Sequence, residues 1–267
     1  MASGTSHPPV VLAAAAHPDD IEFMFAGTLL LLKQAGCEVH YWNLANGCLG
    51  SMVHSPEELA KIRWEESQES AQLAGATAHP PLFDDRAVFY DHPSLARVAS
   101  VIRAIRPQII LTHSLNDYME DHQNVARLIV TSAFSRGIPG FKAEPALPPY
   151  HDPVRIYHAA PHGLRDGLEA PFQPSLLVNI SSVLDRKREM LSCHRSQKDW
   201  LEASQAMGAY VNEMVAMSQT LASGGNQLEF AEGWRRHSHL GFCSPEFDPL
   251  AELLPDFVQT LQTQETV

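Results

Sequence analysis

Through the first half of this chain, apolar runs of strand length alternate with stretches whose apolar positions recur every three or four residues. Residues 10–16, VVLAAAA, are continuously apolar, as a strand buried on both faces is. Residues 19–36 open on two aspartates and close on Gly36, which predicts a helix. Residues 37–45, CEVHYWNLA, predict a second strand. Residues 55–76 predict a helix with Ser55 as N-cap, Pro56 at its first position, Glu58 completing a capping box and Gly75 near its stop. An amphipathic helix over 92–107, a buried strand over 108–113 and a helix opened by His122 over 122–137 continue the alternation.

The style changes at 138–153, where IPGFKAEPALPPYHDP carries five prolines in 16 residues. Beyond it, 155–160 and 175–181 read as strands, 183–197 and 200–222 as helices, and 244–267 as a surface-packed tail. Strands that alternate with helices predict an α/β fold, a Rossmann-like, mostly parallel sheet with helices on both faces and an elaborated C-terminal part. The expected organisation is one domain over 1–267, with a core over about 8–137, the Pro-rich loop, and C-terminal strands, helices and tail over 154–267.

Composition narrows the partners. The 267 residues are 45% hydrophobic with a net charge of −12 and no basic block, which argues against nucleic acid and anionic membrane. No stretch approaches the roughly 18 apolar residues of a membrane span. The opening residues lack a basic n-region and their apolar run reads as a first strand, and the expected location, from the cysteine usage, is cytoplasmic. Cys37, Cys48, Cys193 and Cys243 lack CxxC spacing and read as reduced thiols.

Candidate chemistry gathers at strand ends. In an open α/β sheet, ligands bind beyond the carboxyl ends of the strands. The first strand ends in His17-Pro18-Asp19-Asp20, and the stiff turn at Pro18 lets side chains three apart converge. A histidine and one carboxylate supply two of the three protein ligands of a catalytic zinc, and the other carboxylate can act as general base. Capping of the next helix by Asp19 and Asp20 is the competing explanation. A second cluster, IILTHSLNDYMEDHQNVARL, changes the balance, because it also ends a buried run in a histidine, His113. His122 is the choice of third ligand, with Asp121 beside it to orient it. His113 either faces the crevice or bonds the backbone.

AHPDDIEFMFAGTL resembles the first motif of the PIG-L (LmbE-like) zinc-dependent deacetylases, and DYMEDHQNVARL resembles their second, with weaker echoes in LANGCLGS, IRWEESQESAQLAGA and KREMLSCHRSQ. The resemblance spans about 10–242 and implies hydrolysis of an N-acetylglucosaminyl substrate or a similar small N-acetylated molecule. It implies zinc (Zn2+) bound by His17, Asp20 and His122, with Asp19 as the base. It places Arg63, and Asp84 or Asp85, against substrate. His194 matches a histidine position of relatives. It also implies assembly as a homo-oligomer, and the Pro-rich composition of 138–153 makes that segment the candidate lid or subunit contact. One departure stands out: Met119 occupies a position where relatives carry a histidine. Candidates for the missing acid are Tyr118, His113, His158, His194, His237 and His239, or Asp19 acting alone. Competing functions are a non-catalytic sugar- or nucleotide-binding domain and a zinc amidase for a non-sugar amide. A nicotinamide dehydrogenase is disfavoured, since HPDD stands where GxGxxG would be needed.

Overall fold

The protein is described here by a computed structural model covering residues 8–197, 210–225 and 227–261. Five strands run parallel in the order β3-β2-β1-β4-β5: β1 (Val10–Ala15), β2 (Glu38–Asn43), β3 (Thr77–His79), β4 (Ile109–Thr112) and β5 (Arg155–Ala159). Ala14 of β1 lies between Trp42 of β2 and Thr112 of β4, so strand order reverses beside β1. Such a switch point opens a crevice at the carboxyl ends.

Alternation along β1 shows why the sheet is covered on both faces. Val11, Ala13 and Ala15 join one apolar cluster, with α2 (Ala26–Gln34) and α6 (Leu184–Ser192), while Leu12, Ala14 and Ala16 join another, with α4 (His92–Ile105) and α5 (Glu120–Phe134). Successive strand side chains point to opposite faces, so a continuous apolar run serves both layers. The helix α3 (Pro56–Ala74) forms as expected, with both halves of the Ser55–Glu58 capping box and Gly75 in the left-handed conformation.

The C-terminal part departs from expectation. A strand absent from the sequence reading, β7 (Ala231–Arg236), inserts antiparallel between β5 and β6 (Leu176–Asn179). The expected tail contains a short helix, α8 (Pro249–Leu253), and an antiparallel edge strand, β8 (Val258–Thr260). Of the helix expected over 200–222, α7 (Tyr210–Ala222) is described, and the part before it lies outside the described residues.

The single helix expected over 19–36 is two, α1 (Asp20–Met24) and α2, separated at Phe25. Glu232 of β7 explains the break. Its carboxylate accepts the backbone N–H groups of Gly27 (2.8 Å) and Thr28 (2.7 Å), and the Thr28 hydroxyl (2.6 Å), so it caps a second helix start. Lys187 Nζ lies 2.6 Å from Glu232 Oε1, with both side chains buried. Gly27 is required by the approach: a Cβ there would lie 2.5 Å from Ile180 and 2.9 Å from Glu232.

Residues 138–153 are strapped to α4. Ser100 Oγ donates to Pro145 O (2.8 Å), and Arg103 donates to Leu147 O (2.9 Å) and Ile138 O (3.0 Å). None of these residues lines the cleft described below, which removes the lid expectation. Among the described residues, no helix is long and apolar enough to cross a membrane.

Candidate active site at the ends of β1 and β4

The loop after β1 folds back on itself. Asp20 Oδ2 accepts the His17 backbone N–H (2.7 Å), and Asp19 takes φ +111°, a left-handed conformation that costs a non-glycine residue about 1–3 kcal/mol. This turn directs Asp19 and Asp20 to the same cleft of about 730 Å³. Pairing of β1 with β4 brings the second cluster alongside. There, His113 Nε2 accepts the backbone N–H of Ala16 (2.9 Å) and its ring stacks on His122 at 4.1 Å. The acceptor nitrogen of His113 is therefore used by the main chain, which answers whether it bonds the backbone, although its ring also lines the cleft.

Three side chains converge on one point. Asp20 Oδ2 lies 3.5 Å from His17 Nδ1 and 3.4 Å from His122 Nε2, and His17, Asp20 and His122 form a group able to hold a metal ion. Each imidazole is held from behind by a carboxylate. Asp117 Oδ1 accepts from His122 Nδ1 (3.0 Å), and Asp121 Oδ2 accepts from His17 Nε2 (3.0 Å). The expectation that Asp121 orients His122 is thus corrected. Helix α5 begins at Glu120, so His122 sits inside its first turn instead of opening it, and neighbouring side chains on a helix diverge while Asp117 in the preceding loop reaches back. These tautomers leave His122 Nε2 buried without a hydrogen-bond partner, with its lone pair toward Asp20. His17 Nδ1, His122 Nε2 and the Asp20 carboxylate, facing one another, call for a cation among them, whether protons on the imidazoles or a metal ion in their place, so the residues present fit a metal ion. A second grouping, His113, Asp117 and His122, is geometrically close, but two of its contacts are already bound as hydrogen bonds.

The electrostatics follow the same layout. Burial alone would pull His17 down, but its bonds to Asp121 and Asp20 push it up to about 10. Asp20 is held low, against burial, by the positive fields of His122 and His113. Burial, then the charge of Asp20, raises Asp19 to about 6. The Tyr210 hydroxyl, delivered by the first turn of α7, donates to Asp19 Oδ2.

Arg63 is 3% exposed and lines the cleft, so it is not an arginine on an open helix surface. Its Nη2 donates to Gly50 O (3.0 Å) and to Gln197 Oε1. The loop 46–50 closes over it: a Cβ on Gly50 would lie 2.4 Å from Nη2, and one on Gly47, at φ +73°, 2.3 Å from Cδ. Asp85 lines the cleft while accepting the N–H groups of Gly47 (2.7 Å) and Leu49 (3.1 Å). Asp84 turns instead to the Asn46 side chain (2.5 Å) and does not line the cleft.

Of the acid candidates, Tyr118 lines the cleft, about half exposed, with burial and the charges of Asp20 and Asp117 pushing its hydroxyl above the ordinary tyrosine range. His194 lies fully buried behind the cleft, 3.2 Å from Glu22. His158 bonds the His113 carbonyl (2.7 Å) and His237 (2.9 Å), and neither it, His237 nor His239 lines the cleft. Sequence reasoning missed Asp117 as a partner of His122, and Tyr210, Gln197, His162 and Glu213, which line the cleft from the C-terminal part. His162 and Glu213 pair at 3.1 Å.

A family model described as "PIG-L: GlcNAc-PI de-N-acetylase" matches residues 12–133. Residues 12–133 are therefore similar to the PIG-L family. The converging set His17, Asp19, Asp20, His113 and His122 lies wholly within that segment, whereas Tyr210 comes from outside. The chain is 28% identical over 194 residues to the diacetylchitobiose deacetylase of Thermococcus kodakarensis, covering 70% of this chain and 69% of that protein. It is 25% identical over 198 residues to the 4-oxalmesaconate hydratase of Pseudomonas putida (70% and 73%). It is 26% identical over 201 residues to a Bacillus cereus protein named "Probable N-acetyl-alpha-D-glucosaminyl L-malate deacetylase 2" (71% and 84%). Among solved structures, the N,N'-diacetylchitobiose deacetylase of Pyrococcus horikoshii superposes with a TM-score of 0.73 at 24% identity, over 90% of this chain and 88% of that one, which shows a shared fold.

Proposed function

We propose that the protein is a zinc-dependent N-deacetylase that removes acetate from a small N-acetylated amino sugar or its conjugate. The observation that carries this reading is the convergence of His17 Nδ1, Asp20 and the unpartnered His122 Nε2 beside a separate buried carboxylate, Asp19. Simple binding of a sugar does not require both a ligand set and a spare base. The names of two sequence relatives, both deacetylases of glucosaminyl or chitobiose substrates, support the amide and the sugar.

His17, Asp20 and His122 would hold the zinc ion, which when bound acidifies a water molecule and polarises an acyl carbonyl. Asp19 takes the proton of the attacking water. The Tyr210 hydroxyl fixes the Asp19 carboxylate in the cleft while leaving its other oxygen for that proton. Arg63 orients the substrate from the cleft wall that it shares with Gly50. Met119 carries no transferable proton, so Asp19 returns the proton to the departing amine.

A hydratase reading is favoured by one pairing of facts: Met119 stands where the deacetylase resemblance implies a histidine, and the Pseudomonas putida relative is named as a hydratase. Both readings use the same base. The deciding experiment is acetate release from a panel of N-acetylated sugars and conjugates by zinc-loaded protein, with Asp19→Ala as control. The expected result is release that falls by about 100-fold or more in the variant. Zinc-loaded protein that releases no acetate from any member refutes the deacetylase.

A further inference from the structure

The cleft occupies the carboxyl ends of the parallel strands, and the amino end of β5 carries a different grouping. Arg155, the first residue of β5, is 7% exposed, and among the described residues no carboxylate lies within 4.0 Å of its guanidinium. Its Nε has no hydrogen-bond partner, and its Nη1 points at Cys243 Sγ, 3.6 Å away. A second buried guanidinium stands close by. Arg136 also lacks a carboxylate within 4.0 Å among the described residues and donates to backbone carbonyls, one of them that of Phe242, the residue before Cys243 (2.8 Å).

Buried cations are normally matched by an anion. The acids at this end of the sheet are already committed. Asp152 pairs with Arg106 at 2.8 Å, and Asp248 pairs with Arg236 at 2.6 Å while accepting the Tyr157 hydroxyl (2.5 Å). Tyr150, in the field of Arg136, is pushed up by burial and keeps its proton at neutral pH. The charge of Arg155 reaches His237, which burial and then that charge lower. The ionisable acid left to face the two guanidiniums is the thiol of Cys243. The other cysteines lack such a setting: Cys37 and Cys48 are buried, and burial pushes both thiols up. Cys193 is the informative contrast. It is partly exposed, as Cys243 is, yet its Sγ donates to the Glu189 carbonyl (3.5 Å), and burial, then the charges of Glu22 and Glu69, push it up to about 11.

We propose that Cys243 is a modification site, a thiolate held by Arg155 that reacts with hydroperoxides to give a sulfenic acid. A thiolate is the nucleophilic form of cysteine, and a neighbouring arginine favours it. The sulfur attacks one peroxide oxygen, so that an S–O bond forms as the O–O bond breaks. Sulfur is oxidised by two electrons, the peroxide is reduced, and the departing hydroxide takes a proton from solvent and leaves as water. The Nε–H of Arg155, without a partner in the reduced protein, is the donor for the new oxygen. Neither Arg155 nor Cys243 lines the cleft, so this inference stands apart from the deacetylase reading.

The test treats zinc-loaded protein with hydrogen peroxide in the presence of dimedone, which caps sulfenic acids, and follows the adduct at each cysteine by peptide mass spectrometry. The expected result is an initial rate at Cys243 about tenfold or more above that at Cys193. Arg155→Gln is expected to lower the Cys243 rate by about tenfold with Cys193 unchanged, and Arg155→Lys, which keeps the cation, to recover part of it. A Cys243 rate no higher than that of Cys193 in the natural protein overturns the site, as does a Cys243 rate that is the same in Arg155→Gln as in the natural protein. Should Arg155→Gln loosen the fold, the buried Cys37 gains adduct too. Arg155→Lys and the comparison within the natural protein then decide: a fast Cys243 in both upholds the site, and a slow one in either refutes it.

Discussion

Asp117 and Asp121 stand behind His122 and His17, each accepting the proton of the nitrogen that points away from Asp20. Carboxylates in that position fix the imidazole tautomer and raise ligand basicity, and their loss typically weakens metal affinity by about 10–100-fold. Asp117→Ala is therefore expected to weaken zinc binding by that factor, read by competition with a chromogenic chelator. His17→Ala provides the discriminating comparison. If His17, Asp20 and His122 are the ligands, His17→Ala loses far more affinity than Asp117→Ala. If the metal instead sat among His113, Asp117 and His122, His17→Ala would bind normally and Asp117→Ala would lose the ion. The motif spacing made His17, Asp19, Asp20 and His122 legible without coordinates, because a stiff turn and a helix start fix short-range geometry. Asp117 was not legible: it lies five residues before its partner, in a loop whose path follows no period. Tyr210 was hidden for another reason, since at helical spacing among methionines it reads as core, and only the tertiary fold sets it against Asp19 191 residues away.

At the level of elements, Glu232 joins three pieces that the sequence presents as unrelated. It lies on β7, caps α2 and pairs with Lys187 of α6. Nothing in FAEGWRR marks a central strand, because a buried charge breaks the alternation by which strands are recognised, and this is why β7 escaped the sequence reading. Strands β1, β2, β4, β5 and β6 carry no such charge pair and were read from their apolar runs, whereas β3, only three residues long, also escaped the sequence reading. Removing one partner of a buried pair leaves the other uncompensated, at a cost of about 3–5 kcal/mol. Glu232→Ala is expected to lower unfolding free energy by that amount in urea titrations. The double variant Glu232→Met, Lys187→Met is expected to recover part of the loss. It cannot recover all of it, because the Gly27 and Thr28 N–H groups still lack an acceptor. A double variant no better than Glu232→Ala would show that the cap, and not the ion pair, carries the stability.

Across the whole molecule, the parallel and antiparallel halves of the sheet meet beneath the cleft through a chain of histidines. His158 of β5 bonds the His113 carbonyl by Nδ1 (2.7 Å), and its Nε2 accepts from His237, which follows β7 (2.9 Å). Nδ1 donates to a carbonyl, so in a neutral His158 it is Nε2 that accepts from His237. Burial pulls its pKa down to about 4, with the charges of His237, His113 and Arg235 acting in the same direction against the carbonyl bond. His79, on the edge strand β3, is likewise lowered to about 4, by burial and by His40. The sign of the linkage is fixed by that depression. In the unfolded chain the imidazole gains its proton near pH 6.5, while the folded protein resists until about pH 4, so the unfolded state binds more protons between these values. The stability contributed by a neutral His158 is intact above pH 6.5 and is lost as pH falls toward 4, by about 3 kcal/mol for this buried group. Asparagine at 158 can still donate to the His113 carbonyl but does not titrate. Urea midpoints measured at pH 7 and pH 5 should therefore fall more steeply for the natural protein than for His158→Asn. Parallel slopes for the two proteins would mean that the histidine junction does not set the acid limit of the fold, and the carboxylates around the cleft would then be the groups to titrate.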